Sequence, residues 1–342
     1  MKTTNYYYLL WIVILLQSCA TTQNVDTNQI PKATASASEL VRITDEDIPE
    51  FSPKLAPDGT KLIYTSRDDA KYGTERWSIR LKSDVNKPGF SPITDAHCLS
   101  PSWHPNSNKF IYSYFKGQEP ILAISSTQSL GITFVAQKGY GEYDYDASYS
   151  PNGERILLST TIQGKTAIGI VNANGQNFTL IGEGGTPVWH PSGESIAFVK
   201  NSGEYTHIFF YNLKNNQITQ ITSGEFHHLY PHFSPSGEEF VFVSNRDSET
   251  FHIYTMNMDG TNLTQLTTGS TTEIHPFWGT DGYIYFSSDA GTKKRKSSFN
   301  RGNPKRGFNS FNAQKDAVAD LVNLHIGWDY ADIWRLKPLL IQ

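Results

Sequence analysis

The sequence predicts an all-β fold, a six-bladed β-propeller whose ring is closed by an N-terminal strand completing the last blade. Three observations predict it. One phrase, made of an inner-strand opening, a Pro-x-Gly-type turn and a β-branched and aromatic run, is written six times: FSPKLAPDGTKLIYTS from Phe51, LSPSWHPNSNKFIYSY from Leu99, DASYSPNGERILLST from Asp146, GTPVWHPSGESIAFV from Gly185, LYPHFSPSGEEFVFVS from Leu229 and IHPFWGTDGYIYFSS from Ile274. Its opening position (Pro53, Pro101, Ala147, Pro187, Pro231, Pro276) recurs at intervals of 48, 46, 40, 44 and 45 residues, and a period of that length built from short strands marks a propeller. A single blade cannot bury both faces of its sheet, and six copies are enough to close a ring.

The N-terminus reads as an export signal. Lys2 precedes the apolar stretch Tyr6 to Leu16, which is too short to span a bilayer. Leu16-Gln17-Ser18-Cys19 resembles the bacterial lipobox, which implies cleavage before Cys19 and lipidation of its thiol. Residues 1–18 are then a lipoprotein signal peptide, residues 19–38 a Thr/Asn/Ser-rich tether and residues 39–342 the propeller. An ordinary signal peptide with a chance cysteine is the alternative. Ala20 is not the aspartate that retains enterobacterial lipoproteins in the inner membrane, so the resemblance places the protein at the outer membrane, facing the periplasm. Cys98 is left without a disulfide partner and reads as a small buried hydrophobe.

Within the fifth copy the four strands of a blade are expected at Tyr230 to Ser234, Glu239 to Ser244, His252 to Met256 and Leu263 to Thr267, with Pro235-Ser236-Gly237 and Asp259-Gly260 as turns. Outermost strands are expected at Phe90 to Thr94, Ile132 to Ala136, Phe178 to Gly182, Ile218 to Thr222 and Leu263 to Thr267. The sixth blade has its third strand at Ile333 to Leu336 and lacks a fourth. Leu40-Val41-Arg42-Ile43-Thr44 matches the outer-strand phrase and supplies it, removing an open edge.

Between the second and third strands of blade six stands an insertion of about 290–330, expected to end in a short helix over Asn312 to Asn323. It carries Lys293, Lys294, Arg295, Lys296, Arg301, Lys305 and Arg306, with no acid between Lys293 and Arg306. Such a run is either a solvated excursion or an electrostatic contact with lipid A phosphates, anionic lipid or an acidic partner.

The repeats resemble the TolB-type propeller, whose signature couples a Ser-Pro-Asp-Gly-like turn to the next strand and ends on a segment like IYTMNMDGTNLTQLT, here Ile253 to Thr267. The resemblance runs from Leu40 to Leu336. TolB carries an α/β domain before its propeller, where this chain has the tether, so the resemblance is to a lipoprotein form lacking that domain. With the propeller-only length and the absence of catalytic motifs, it leads to the expectation of a non-enzymatic cell-envelope protein, a monomeric propeller presenting its channel mouth to another envelope protein. The partner implied is Pal, the peptidoglycan-associated lipoprotein, or a Pal-like protein.

The residues before each inner strand are expected at that mouth: Glu50, His97, Tyr145, Asp146, His228, Tyr230 and Glu273. They form a binding rim or are merely solvated loop residues. His227, His228 and His232 invite a metal reading, since residues four apart on an extended strand share a face. No Asp/Glu/His set has diagnostic spacing, and no cofactor or metal is expected. A channel-mouth polysaccharide-binding protein or metal-dependent lyase or hydrolase is the rival function. His104 and His190 share a repeat position with Ser150 and Ser234 and read as turn supports, and Trp103, Trp189 and Trp278 as blade packing.

Nucleophile elbows and phosphate-cradling loops are absent from the sequence, so no catalytic residue is nominated. Asp45-Glu46-Asp47 and Asp144-Tyr145-Asp146 do not complete a calcium-loop pattern. A net charge of −4 is small and argues neither way, and with the export signal no nucleic-acid partner is expected.

Overall fold

A proline inside five of the six inner strands would break a regular ladder, and the structure shows how the fold uses it. The computed structural model describes residues 30–44, 48–67, 77–94, 97–116, 119–136, 138–290 and 331–339. Among these residues the regular structure is all strand.

β1 (Lys32–Ala33) and β2 (Ala37–Arg42) come first. Blade one is β3 (Glu50–Leu55), β4 (Leu62–Arg67), β5 (Trp77–Lys82) and β6 (Ser91–Pro92). Blade two is β7 (Cys98–Trp103), β8 (Lys109–Lys116), β9 (Glu119–Ser126) and β10 (Ser129–Phe134). β11 (Asp144–Tyr149), β12 (Arg155–Ile162), β13 (Lys165–Asn172) and β14 (Thr179–Glu183) make blade three. Blade four is β15 (Gly185–Trp189), β16 (Ser195–Ser202), β17 (Tyr205–Asn212) and β18 (Ile218–Gln220). Blade five is β19 (His228–Phe233), β20 (Glu239–Ser244), β21 (His252–Asn257) and β22 (Thr264–Gln265), with β23 (Thr267–Thr268) after it. Blade six joins β24 (Glu273–Trp278), β25 (Ile284–Ser288) and β26 (Asp332–Pro338) to the N-terminal β2.

In every blade the first ladder slips at the same place. Phe51 pairs with Thr65 and Lys54 with Ile63, so Ser52 and Pro53 together face one residue. The same slip separates Leu99 from Ser102, Tyr145 from Ser148, Gly185 from Val188, Leu229 from His232 and Ile274 from Phe277. Such a bulge leaves one residue out of the ladder, so a proline without an N–H is tolerated there. The recurrent proline is thus the mark of a bulge.

Second strands are buried on both faces between neighbouring blades, as in β4 and in Phe240 to Ser244 of β20. Two further devices bind blade to blade. Trp103 Nε1 donates to the Lys54 carbonyl at 2.9 Å and Trp189 Nε1 to that of Ser148 at 3.3 Å, each reaching back to the previous inner strand. His190 reaches forward: its Nε2 donates to the Gly237 carbonyl at 3.0 Å, while Nδ1 accepts from Ser192 N–H at 3.1 Å. His104 lies in the same way against Gly153. The tryptophans and turn histidines are therefore structural.

A Cβ at Gly237, where φ is +79°, would stand 2.5 Å from His190 Nε2. Gly282 has a φ of +82° and open space around its Cβ position. Gly237→Ala is therefore expected to lose about 2–3 kcal/mol and Gly282→Ala about 1. Urea unfolding of the two variants measures the difference, and equal losses would remove the inter-blade role of His190.

The N-terminal strand closes the ring as the sequence predicts, with shifted bounds. It runs Ala37–Arg42 rather than Leu40 to Thr44, pairing Ala37 with Pro338 and Arg42 with Trp334. Ile43 and Thr44 continue beside it, Ile43 N–H donating to the Ile333 carbonyl at 2.7 Å and Ile333 N–H to Thr44 Oγ1 at 2.9 Å. The structure adds β1, which pairs with β23 on blade five and falls inside the segment read as a tether. Cys19, the acidic run at residues 45–47, the seven basic residues from Lys293 to Arg306 and the helix expected over Asn312 to Asn323 lie outside the described residues.

Candidate functional site

The bulge decides what faces the channel. Ser52, Ser100, Asp146, Thr186, Tyr230 and His275 occupy the same bulge position, and all have φ between 45° and 54°. That is left-handed backbone, unfavourable for any residue with a Cβ and more so for Thr186 and Tyr230. It turns each of these side chains toward the axis, where they line a cavity of about 120 Å³. Two positions further on, Lys54, Ser102, Ser148, Val188, His232 and Phe277 line the same cavity, roughly 7 Å along at the usual strand rise.

The lining is asymmetric. Blades five and six make an aromatic wall, with Tyr230 and His275 edge to face at 4.6 Å between ring centroids and His232 and Phe277 at 4.3 Å. Blades two, three and four contribute the small groups Ser100, Ser102, Ala147, Ser148, Thr186 and Val188. The two charged residues, Lys54 and Asp146, come from blades one and three.

Burial lowers the Lys54 ammonium to about 8, against the opposing pull of the Asp146 charge. Its Nζ lies 5.0 Å from the centre of the Phe277 ring. Burial raises Asp146, and a hydrogen bond from Ser100 partly offsets this. His232 is pushed down to about 3, first by burial and then by the Lys54 charge, and Tyr230 is raised well above 10 by burial and by Asp146. At neutral pH both rings are therefore uncharged.

The seven residues expected at the mouth divide. Asp146 and Tyr230 line the channel. His97 is exposed before β7, and the Tyr145 hydroxyl donates to Thr166 Oγ1 at 3.3 Å. Glu50, His228 and Glu273 are buried at the starts of their strands. His228 packs on His207, with 5.5 Å between centroids, and burial lowers it to about 4.

His228 and His232 do not share a face, which corrects the reading from alternation. The slip between Leu229 and His232 inserts a residue, so His232 enters the channel wall while His228 stays in the seam with blade four. Asp144 is a turn organiser: its Oδ2 accepts from Tyr140 N–H at 2.7 Å and its Oδ1 from Thr160 Oγ1 at 2.7 Å. Among the described residues, no three His, Cys, Asp or Glu side chains come together as a metal site.

The reading from sequence passed over Lys54, His275 and the small hydroxyl residues of the channel. The available signal was the proline itself, since a proline inside a paired strand demands a bulge, and its neighbours on either side then point inward.

Comparison with known proteins agrees with this architecture. A family model described as the TolB beta propeller domain matches residues 185–307. TolB from Acinetobacter baumannii superposes with a TM-score of 0.58 at 19% identity, over 68% of this chain and 57% of that one. An oligogalacturonate lyase in complex with manganese gives a TM-score of 0.51 at 12% identity, over 90% of this chain and 96% of that one. The uncharacterized peptidase YuxL of Bacillus subtilis (strain 168) is 24% identical over 215 residues, 60% of this chain and 30% of the peptidase. The chain thus spans less than two thirds of both the peptidase and the A. baumannii TolB, and at these identities the likeness is one of fold. Six repeats, a ring closed by its N-terminal strand and the TolB propeller match together make this chain a TolB-like six-bladed β-propeller.

Proposed function

We propose that this protein is a bacterial cell-envelope lipoprotein, anchored through Cys19 at the outer membrane and facing the periplasm, whose propeller binds a segment of another envelope protein, such as a Pal-like partner, at its channel. The observation that carries this reading is the channel lining. Six side chains held at left-handed backbone converge on one small recess that combines hydroxyl, charged and aromatic groups. A ring that holds six strained residues toward one small space is suited to recognition. The lyase or hydrolase reading is less well supported, because its expected histidines, His228 and His232, are parted by the bulge.

Two measurements test the reading. Cys19→Ser should leave the protein unacylated and shift it from the membrane pellet to the soluble fraction. A photo-crosslinking residue at Ser102, in the channel, should capture a discrete envelope protein identifiable by mass spectrometry, whereas one at Thr179, on an exposed outer strand, should not. Acylation of the Cys19→Ser protein, or equal capture from the two positions, overturns the proposal.

A further inference from the structure

Two charged groups face the channel, and they are not equally satisfied. The carboxylate of Asp146 is favoured by the nearby Ser100 hydroxyl and by the Lys54 charge. Among the described residues Lys54 Nζ has no hydrogen-bond acceptor and no ion pair; its contact is the face of the Phe277 ring. A half-buried ammonium on an aromatic face keeps its charge but forgoes part of the hydration that three N–H donors would otherwise have. It is poised to gain more from an anion than a surface lysine would.

The surroundings narrow the anion. One lysine supplies a single positive charge, and the other groups facing it, His232 and Tyr230, are neutral at pH 7. Asp146 opposes a second negative charge. Against the Lys54 and Asp146 charges together a carboxylate adds one negative charge and a phosphate dianion two, so the carboxylate is the anion the channel bears at lower cost. Hydroxyls of Ser102 and Ser148 stand on the same ring as Lys54 and offer further donors. Phe277 and the prolines of the opening position give apolar flanks for the methylenes of a side chain. A cavity of about 120 Å³ admits one side chain or one chain end and little more.

We propose that Lys54 is the anchor of a carboxylate-binding subsite in the channel, which receives one Glu or Asp side chain or the C-terminal carboxylate of the docking segment. This rests on the reading of the propeller as a binding module and adds the chemistry by which it selects its partner. Lys54 supplies the charge, the hydroxyl ring orients the carboxylate, and the Phe277 face holds the ammonium in position while the channel is open.

Calorimetric titration of the propeller with three pentapeptides tests the subsite: acetyl-Gly-Gly-Glu-Gly-Gly-amide, the same peptide with Gln, and acetyl-Gly-Gly-Gln-Gly-Gly with a free C-terminal carboxylate. At least one carboxylate peptide should bind ten times or more tightly than the neutral one. The advantage should vanish in Lys54→Met and be largely kept in Lys54→Arg, with both variants as stable as the parent in thermal unfolding. The first and third peptides distinguish a side-chain from a terminal carboxylate. Indifference to the carboxylate, an advantage that survives Lys54→Met, or no measurable binding of any peptide overturns the subsite. Tight binding of pentagalacturonate in place of the peptides also overturns it as a protein-binding subsite. Capture at Ser102 that persists in Lys54→Met refutes the subsite alone, while equal capture at Ser102 and Thr179 refutes the binding-module reading itself.

Discussion

A chain truncated to begin at residue 46 should lose most of its stability, whereas one beginning at residue 36 should lose little. The shorter chain lacks β2, so β26 becomes an open edge carrying Trp334 and Leu336. The Ile43 N–H to Ile333 and Ile333 N–H to Thr44 bonds go with it. So does Arg42, whose guanidinium sits 2.7 Å from the fully buried Asp332 carboxylate. Loss of that cation costs up to about 3–5 kcal/mol where the carboxylate stays dry and less where the opened edge admits water, and each lost ladder bond adds about 1. The sum approaches the whole margin of a typical domain, about 5–15 kcal/mol. The longer chain retains all of blade six and loses the short β1–β23 pairing on blade five, worth about 1–2 kcal/mol. In calorimetry the shorter chain should melt more than 10 °C lower, or self-associate through the exposed edge. Equal melting temperatures would refute closure by the N-terminal strand.

How much of this was legible depended on whether a feature repeats. The period and the second strands of each blade are written six times in residues of strong propensity, and the turn glycine five times, with Ser107 in its place in blade two, so Glu239–Ser244 emerges with the bounds predicted. The outer strands carry weaker patterns because one edge meets solvent; Phe90 to Thr94 shrinks to Ser91–Pro92, and Leu263 to Thr267 to Thr264–Gln265. β1 was invisible, since two residues, Lys32 and Ala33, have no periodicity to read. The channel was legible only in part for a different reason. Residue types before each inner strand are visible, but their direction depends on a bulge that adds one residue and exchanges the faces. Asp146 and Tyr230 are on the inward side of that exchange and Glu50, His228 and Glu273 are not. Lys54, which carries the channel's positive charge, follows the proline and resembles any strand lysine until the bulge is seen.

Glu273 illustrates the exchange and provides the second large effect. From its place before the sixth inner strand it reads as an acid at the channel mouth, yet its side chain is fully buried between blades five and six. Four side chains donate to it. Oε2 accepts from His252 Nδ1 at 2.8 Å and Thr267 Oγ1 at 2.9 Å, and Oε1 from Thr271 Oγ1 at 2.6 Å and Ser288 Oγ at 3.3 Å. Thr267 Oγ1 in turn accepts the Ile253 N–H at 2.9 Å, so its proton is committed to the carboxylate. An ionised carboxylate, which only accepts, is the one side-chain group that answers all four donors. Glu273→Gln keeps the size but replaces one acceptor oxygen with an N–H₂ facing donors, which leaves at least one buried donor unsatisfied. A loss of about 2–3 kcal/mol is expected, with a fall in Tm of about 5–10 °C. Thr271→Val removes a single donor and should cost about 1–1.5 kcal/mol. Folded Glu273→Gln protein should bind carboxylate peptides as the parent does, because the carboxylate is in the seam and not in the channel. A glutamine variant as stable as the parent, or one that folds normally but no longer binds, would return Glu273 to the mouth.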